Sequence, residues 1–185
     1  MPSSQTNSRI YKSLISALSI ALAGIALQAT PAHAQLLTSG NAVVTVTVVD
    51  VLSLVVAVPA VPIAMGTLND FQNGSSFTAP AQLVASSNRP YDIKVKSDGD
   101  LQGQLTATGS SIPISNIVVQ AAPTLTATYT SPLNLSAADQ VLISNAPGAM
   151  AKVYDVKYST AANNAAFFVK GGAYTATLTY SITAR

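Results

Sequence analysis

Ala42-Val43-Val44-Thr45-Val46-Thr47-Val48-Val49-Asp50-Val51-Leu52-Ser53-Leu54-Val55-Val56-Ala57-Val58 is the longest β-branched run in the chain. β-branched side chains are stiff at χ1 and suit a pleated surface. Between Ala42 and Leu54 one strand face carries Val44, Val46, Val48, Leu52 and Leu54, and the other carries Val43, Thr45, Thr47, Val49, Val51 and Ser53. Alternation with period two predicts a strand rather than a helix. From Leu54 to Val58 the alternation gives way to a continuous apolar run, which predicts a bend near Asp50 or Ser53 and burial on both faces beyond it. A long apolar strand near a chain terminus needs a partner, inside its own domain or on another molecule.

The run stands close behind a segment built like a secretory leader. Arg9 and Lys12 form a basic start, Leu14–Ala29 an apolar middle, and Ala32-His33-Ala34 a small-x-small cleavage site that leaves Gln35 as the mature N-terminus. The expected organisation is residues 1–34 as signal peptide and 35–185 as one β-domain, with 35–58 as its N-terminal strand segment. The apolar part of the leader is shorter than the ~20 residues a spanning helix needs. Pro59 and Pro62 end the only other candidate, so no membrane span is expected in the mature chain. The protein is therefore expected to be secreted, to the periplasm, the cell surface or an extracellular fibre.

Cleavage changes the charge balance. The formal charge of +2 comes from Arg9 and Lys12, and the mature chain pairs five Lys and two Arg with seven Asp and no Glu. Near-zero net charge leaves no basic patch for nucleic acid. The chain has no Cys and no Trp, and His33, its only histidine, leaves with the signal peptide. Ser-His-Asp and Cys-His triads, His- or Cys-ligated metals and thiol chemistry are thereby excluded. A carboxylate pair would have to be two aspartates, and most of these fall in turns or on outward faces. The expectation is a non-enzymatic protein without a cofactor, whose fold rests on its core and its ladders rather than on disulfides.

The rest of the chain reads as short strands. Pro59-Ala60-Val61-Pro62 predicts an extended connection, and Asn73-Gly74 a turn. Phe77–Ser86, interrupted by Pro80, predicts a weak edge strand. Tyr91–Lys96 alternates cleanly, with Tyr91, Ile93 and Val95 inward, and Ser97-Asp98-Gly99-Asp100 predicts a hairpin returning through Leu101–Thr108. Ile114–Gln120, Thr124–Tyr129, Gln140–Ser144, Lys152–Tyr158, Ala166–Lys170 and Ala173–Thr183 complete the set, with Ser131–Asp139 as a loop. The spacing predicts an all-β sandwich, mostly antiparallel.

Two groups invite a binding reading. Asp98-Gly99-Asp100 has carboxylates for Ca²⁺, though such a site wants six to eight oxygens. Tyr129, Tyr154, Tyr158, Tyr174 and Tyr180 could stack on sugar rings, but their places on apolar strand faces favour core packing. Asn73-Gly74-Ser75 and Asn134-Leu135-Ser136 match glycosylation sequons.

The closing segment Gly172-Ala173-Tyr174-Thr175-Ala176-Thr177-Leu178-Thr179-Tyr180 has the form G-x-Y-x-A followed by an aromatic. Together with the alternating Ala42–Leu54 behind the leader, it resembles fimbrial subunits of the chaperone–usher class and related secreted pilin-like sandwiches. The resemblance implies an incomplete Ig-like sandwich completed by the N-terminal strand of a neighbouring subunit. In that reading Val44, Val46, Val48, Leu52 and Leu54 form the polymerisation strand, and Gly172, Tyr174, Ala176, Leu178 and Tyr180 the C-terminal strand motif. The implied partners are copies of itself or related subunits, with a periplasmic chaperone. The residues alone leave open a monomeric extracellular or periplasmic adhesin or carbohydrate-binding module, using loop tips such as Asp98–Asp100 and Asn163–Asn164.

Overall fold

Eleven strands and one short helix carry the described part of the chain. The computed structural model describes residues 41–185. The expected signal peptide, its expected cleavage site and residues 35–40 lie outside these. Thr47–Arg185 forms one folded unit, and Asn41–Val46 belongs with the segment before it.

In chain order the elements are β1 (Leu52–Val56), α1 (Leu68–Asn73), β2 (Ser76–Ser87), β3 (Tyr91–Ser97), β4 (Leu101–Gly103), β5 (Ser111–Ile112), β6 (Ile117–Pro123), β7 (Leu133–Asn134), β8 (Gln140–Ala146), β9 (Ala149–Thr160), β10 (Tyr174–Thr175) and β11 (Leu178–Ala184). They form a five-stranded sheet in the order β1-β2-β9-β6-β7 and two three-stranded sheets, β11-β3-β8 and β10-β4-β5. Every pairing is antiparallel. The protein is all-β, with its sheets curled into a half-barrel.

Period-two patterning places the core. On β9, Tyr154, Val156 and Tyr158 point inward and are buried, and on β3, Tyr91, Ile93 and Val95 do the same. They meet Leu83, Val119, Leu135 and Ile143 between the sheets. The buried phenols are satisfied in pairs. Tyr91 and Tyr154 share a hydrogen bond of 2.8 Å, and the Tyr158 hydroxyl donates to Gln82 Oε1 at 2.8 Å and bonds the Tyr180 hydroxyl. Gln82 Nε2 donates in turn to the Val58 carbonyl at 2.8 Å.

Several expectations are corrected. The long N-terminal strand is strand only over Leu52–Val56, where Leu52 pairs with Ser87 and Val56 with Leu83 of the same chain. Leu54–Val58 is not buried on both faces. β1 lies at a sheet edge, and Val55 and Val56 are exposed. Phe77–Ser86 is not an edge strand, because β2 runs between β1 and β9. Pro80 fits there because the ladder to β9 breaks between Ala79 and Leu83, where no N–H is required of it. Ala81, at φ 51°, donates its N–H at the break to Asp155 Oδ1 at 2.7 Å, so this aspartate satisfies a bulge rather than facing solvent alone.

Ser97–Asp100 is not a hairpin, since β3 and β4 belong to different sheets. Asp98 Oδ1 accepts from Thr177 N–H at 2.8 Å and Asp100 Oδ1 from Ile114 N–H at 2.9 Å, so each carboxylate stitches the sheet change to a distant segment. The turn expected at Asn73-Gly74 is the end of α1, with Gly74 at φ 79°. A Cβ on Gly74 would meet the Thr160 carbonyl oxygen at 2.4 Å. Leu101–Thr108 is strand only over β4, followed by a 3-10 turn at Leu105–Ala107. Thr124–Tyr129 forms no strand, and Ala166–Lys170 holds a 3-10 turn at Ala165–Phe167. The final strand is split in two by Ala176-Thr177.

The tyrosine network is expected to make stability fall at alkaline pH. Burial pushes the Tyr154, Tyr158 and Tyr180 phenols above the ordinary value of 10.0. Above that value the unfolded chain gives up protons that the folded chain keeps, so the unfolded state binds fewer protons and stability falls as pH rises. Below it these groups contribute their full stabilisation. Urea unfolding between pH ~8 and ~11 is expected to show stability flat at first and falling toward the upper end. Tyr158→Phe, which strands Gln82 Oε1, is expected to cost about 1–3 kcal/mol near neutrality and to flatten the alkaline slope.

Candidate functional site

A groove of about 890 Å³ opens within Thr47–Arg185. One wall is the segment that leaves β1, with Val56, Pro59, Val61, Pro62, Ile63 and Met65 facing it. The other wall is Lys170–Leu178 with Tyr180, and the floor includes Ile112, Ile114, Ile117, Leu135 and Tyr158 from the core. Interiors normally hold few voids larger than a water molecule. This volume lies instead in the range of binding sites, about 300–1,000 Å³.

Among the described residues, β10 and β11 each pair on one side only, with β4 and β3, and each ends its sheet. β1 ends the five-stranded sheet in the same way. Beyond Ala57, whose N–H reaches the Gln82 carbonyl at 2.7 Å, the chain runs to Gly66 without helix or strand. Val58, Val61, Ile63 and Met65 nonetheless pack partly on the core. The polar chain Tyr180–Tyr158–Gln82–Val58 crosses the floor and ties one wall to the other.

The expected C-terminal strand motif falls on this groove. Tyr174, Ala176, Leu178 and Tyr180 alternate inward along the second wall but are only partly buried. Gly172 is where this wall crosses the turn after β4. A Cβ there would come within 2.7 Å of Ala107 Cβ, which only glycine avoids. The residues expected to form the polymerisation strand are divided. Leu52 and Leu54 are paired within the chain on β1, and Leu54 packs on the core. They are not available for donation in this state because their backbone bonds to β2 are made. Val44, Val46 and Val48 are exposed at 84%, 77% and 76%, and Asn41–Val51 forms no strand.

A clasp marks the boundary. Asn88, in the turn between β2 and β3, accepts from Val51 N–H at 3.0 Å and donates to the Val49 carbonyl at 2.9 Å. Beside it Arg89 Nη1 meets Asp50 Oδ2 at 2.7 Å, and Nη2 donates to the Arg185 carbonyl at 2.6 Å. Arg185 Nε donates to Asp92 Oδ1 at 2.8 Å, and this hydrogen bond holds the Asp92 carboxyl below the usual aspartate range. The start of β1 and the end of β11 therefore meet at one pole of the fold. No sequence signal marks Asn88 or Gln82, whose roles depend on partners 37 and 24 residues away.

The loop-tip residues are already engaged. Asp98 and Asp100 accept backbone N–H groups, as described, and Asn164 bonds the Asn116 side chain and caps Ala166. No group of three or more His, Cys, Asp or Glu among the described residues could hold a metal ion, and no helix among them is long and apolar enough to cross a membrane. Compared with known proteins, the sequence matches no family model and no curated relative.

The clasp is expected to control local order more than global stability, since exposed pairs contribute about 0–1 kcal/mol. Asn88→Ala should speed hydrogen exchange at Val51 about fivefold, equivalent to about 1 kcal/mol for one hydrogen bond. The melting temperature should change little. Val51 exchange at the wild-type rate would contradict the assignment.

Proposed function

We propose that the protein is a secreted, non-enzymatic structural subunit of a surface fibre or extracellular matrix, assembled by strand donation between copies. The observation that carries this reading is the groove. It is more apolar than polar, floored by core side chains, and flanked by strands that end their sheets among the described residues, which is the geometry an added strand requires. The matching strand is the exposed run ahead of the clasp, Ala42–Val48, rather than the full Ala42–Leu54. It has strong β propensity, and Val44, Val46 and Val48 share one face. The likeness of both chain ends to fimbrial subunits points the same way.

The gains and costs of association are of similar size. Burying three valines contributes about 1.5–3 kcal/mol each, roughly 4.5–9 kcal/mol in all. Backbone bonds add about 0.5–1.5 kcal/mol apiece. Association costs about 4–15 kcal/mol, so the balance turns on how little either partner must reorganise. A contact in which one surface of each copy meets a different surface of the next does not close on itself, and it propagates as a filament.

Electron microscopy of the chain beginning at Gln35 is expected to show filaments. Val44→Asp with Val46→Asp should abolish them while leaving circular dichroism and melting temperature unchanged, because both valines are exposed in the separate chain. Discrete particles from the unsubstituted chain would contradict strand donation and favour a monomeric binding module, and filaments that survive both substitutions would contradict donation through Ala42–Val48.

A further inference from the structure

We infer that the aromatic patch at the far end of the groove is the seat of the donating copy's body, a second contact beyond the strand itself. This rests on the strand-donation reading above. The patch comprises Leu68, Phe71, Gln72, Asn163, Phe168 and Val169 around a hollow of about 400 Å³. Leu68 and Phe168 are 72% and 67% exposed, and the Phe71 and Phe168 rings stand 6.0 Å apart. No charged side chain lines it.

The patch is held rigidly. α1 opens with a capping box, in which Asp70 N–H donates to Thr67 Oγ1 and Thr67 N–H donates to Asp70 Oδ2. Asn163 N–H donates to the Phe71 carbonyl at 2.9 Å. Phe71 and Val169 line both the patch and the groove, so the two surfaces are continuous.

Polarity identifies the occupant. The start of β1 and the end of β11 meet at Arg89, so the two walls run in opposite directions. Any strand laid between them is antiparallel to one wall and parallel to the other. The first wall carries Pro59 and Pro62, which have no N–H to offer, whereas Lys170–Leu178 has no proline. The regular ladder therefore forms with β10 and β11, and antiparallel pairing is the stronger. An arm running antiparallel to β10 and β11 leaves the groove at its Lys170 end, beside Phe168. The residues that follow it are the donor's own Val49 and Val51, exposed at 70% and 43% on either side of the Asp50 clasp. An apolar collar thus meets an apolar patch.

The test uses the full chain beginning at Gln35 and compares it with Leu68→Asp/Phe168→Asp, two exposed sites whose substitution leaves the core intact. Two quantities are read: binding of a free peptide of sequence 41–48, which carries the arm without the collar, and the rate of filament growth. The expected result is peptide affinity unchanged and growth slowed about tenfold or more, the scale of one or two interface anchors. A fluorophore on Leu68→Cys is expected to shift to the blue and become shielded from quencher as filaments form. Growth at the wild-type rate, or a label that stays accessible in filaments, overturns this inference and leaves strand donation standing. Peptide affinity lost together with growth also overturns it, since the patch would then act on the groove itself. A chain that neither binds peptide nor assembles overturns both.

Discussion

A hydrogen-bonded chain through Tyr158 fixes the spacing between the two halves of this fold. The Tyr158 hydroxyl reaches Gln82 on one side and Tyr180 on the other, and Gln82 passes the connection to the Val58 carbonyl. Buried polar groups are costly when unpaired and rigidifying when every member is satisfied. The chain crosses the floor of the groove at the point where the curled sheets leave their opening. It joins the two walls through side-chain hydrogen bonds, so in the proposed assembly an incoming strand would meet walls already tied together. Pre-organisation of this kind reduces the ordering cost of association.

The remaining parts divide the work. Antiparallel ladders leave β1, β10 and β11 as sheet ends, and the curl brings those ends to the groove. Exposed edges are ordinarily blunted by charge, proline or cover. Here Pro59 and Pro62 blunt one wall, and the other wall, Lys170–Leu178, carries no proline. At the opposite pole Asn88, Arg89, Asp92 and Arg185 gather the start of β1 and the C-terminus into one polar cluster. That cluster separates the part of the valine run paired within the chain from the part ahead of it.

The all-β class was legible because period-two patterning is local. Tyr91–Lys96 and Lys152–Tyr158 show it in the residues themselves, and both are central strands, the first with its predicted face of Tyr91, Ile93 and Val95 inward. The errors arise where partners are distant. Pro80 reads as an edge signal until the bulge opposite Asp155 is known. Asp98-Gly99-Asp100 reads as a hairpin because nothing nearby reveals that Thr177 and Ile114 claim its carboxylates. The run Ala42–Val58 has uniform propensity, so only the pairing of Leu52–Val56 with β2 shows where it divides. The groove was foreshadowed by the inward alternation of Tyr174, Ala176, Leu178 and Tyr180. Its other wall, floor and clasp come from tertiary contacts without a sequence pattern.

The most direct measurement uses the absence of cysteine from the chain. Single cysteines at Val44, Val46 or Val48, each combined with Ala176→Cys, place two thiols on inward faces of strands that the account makes neighbours, where same-face Cβ atoms stand about 4.5–5.5 Å apart. After assembly and mild oxidation, at least one pair is expected to give a ladder of covalent multimers on a non-reducing gel. A crosslinked monomer, with both cysteines joined in one chain, would show the arm lying in its own groove and would contradict assembly between copies.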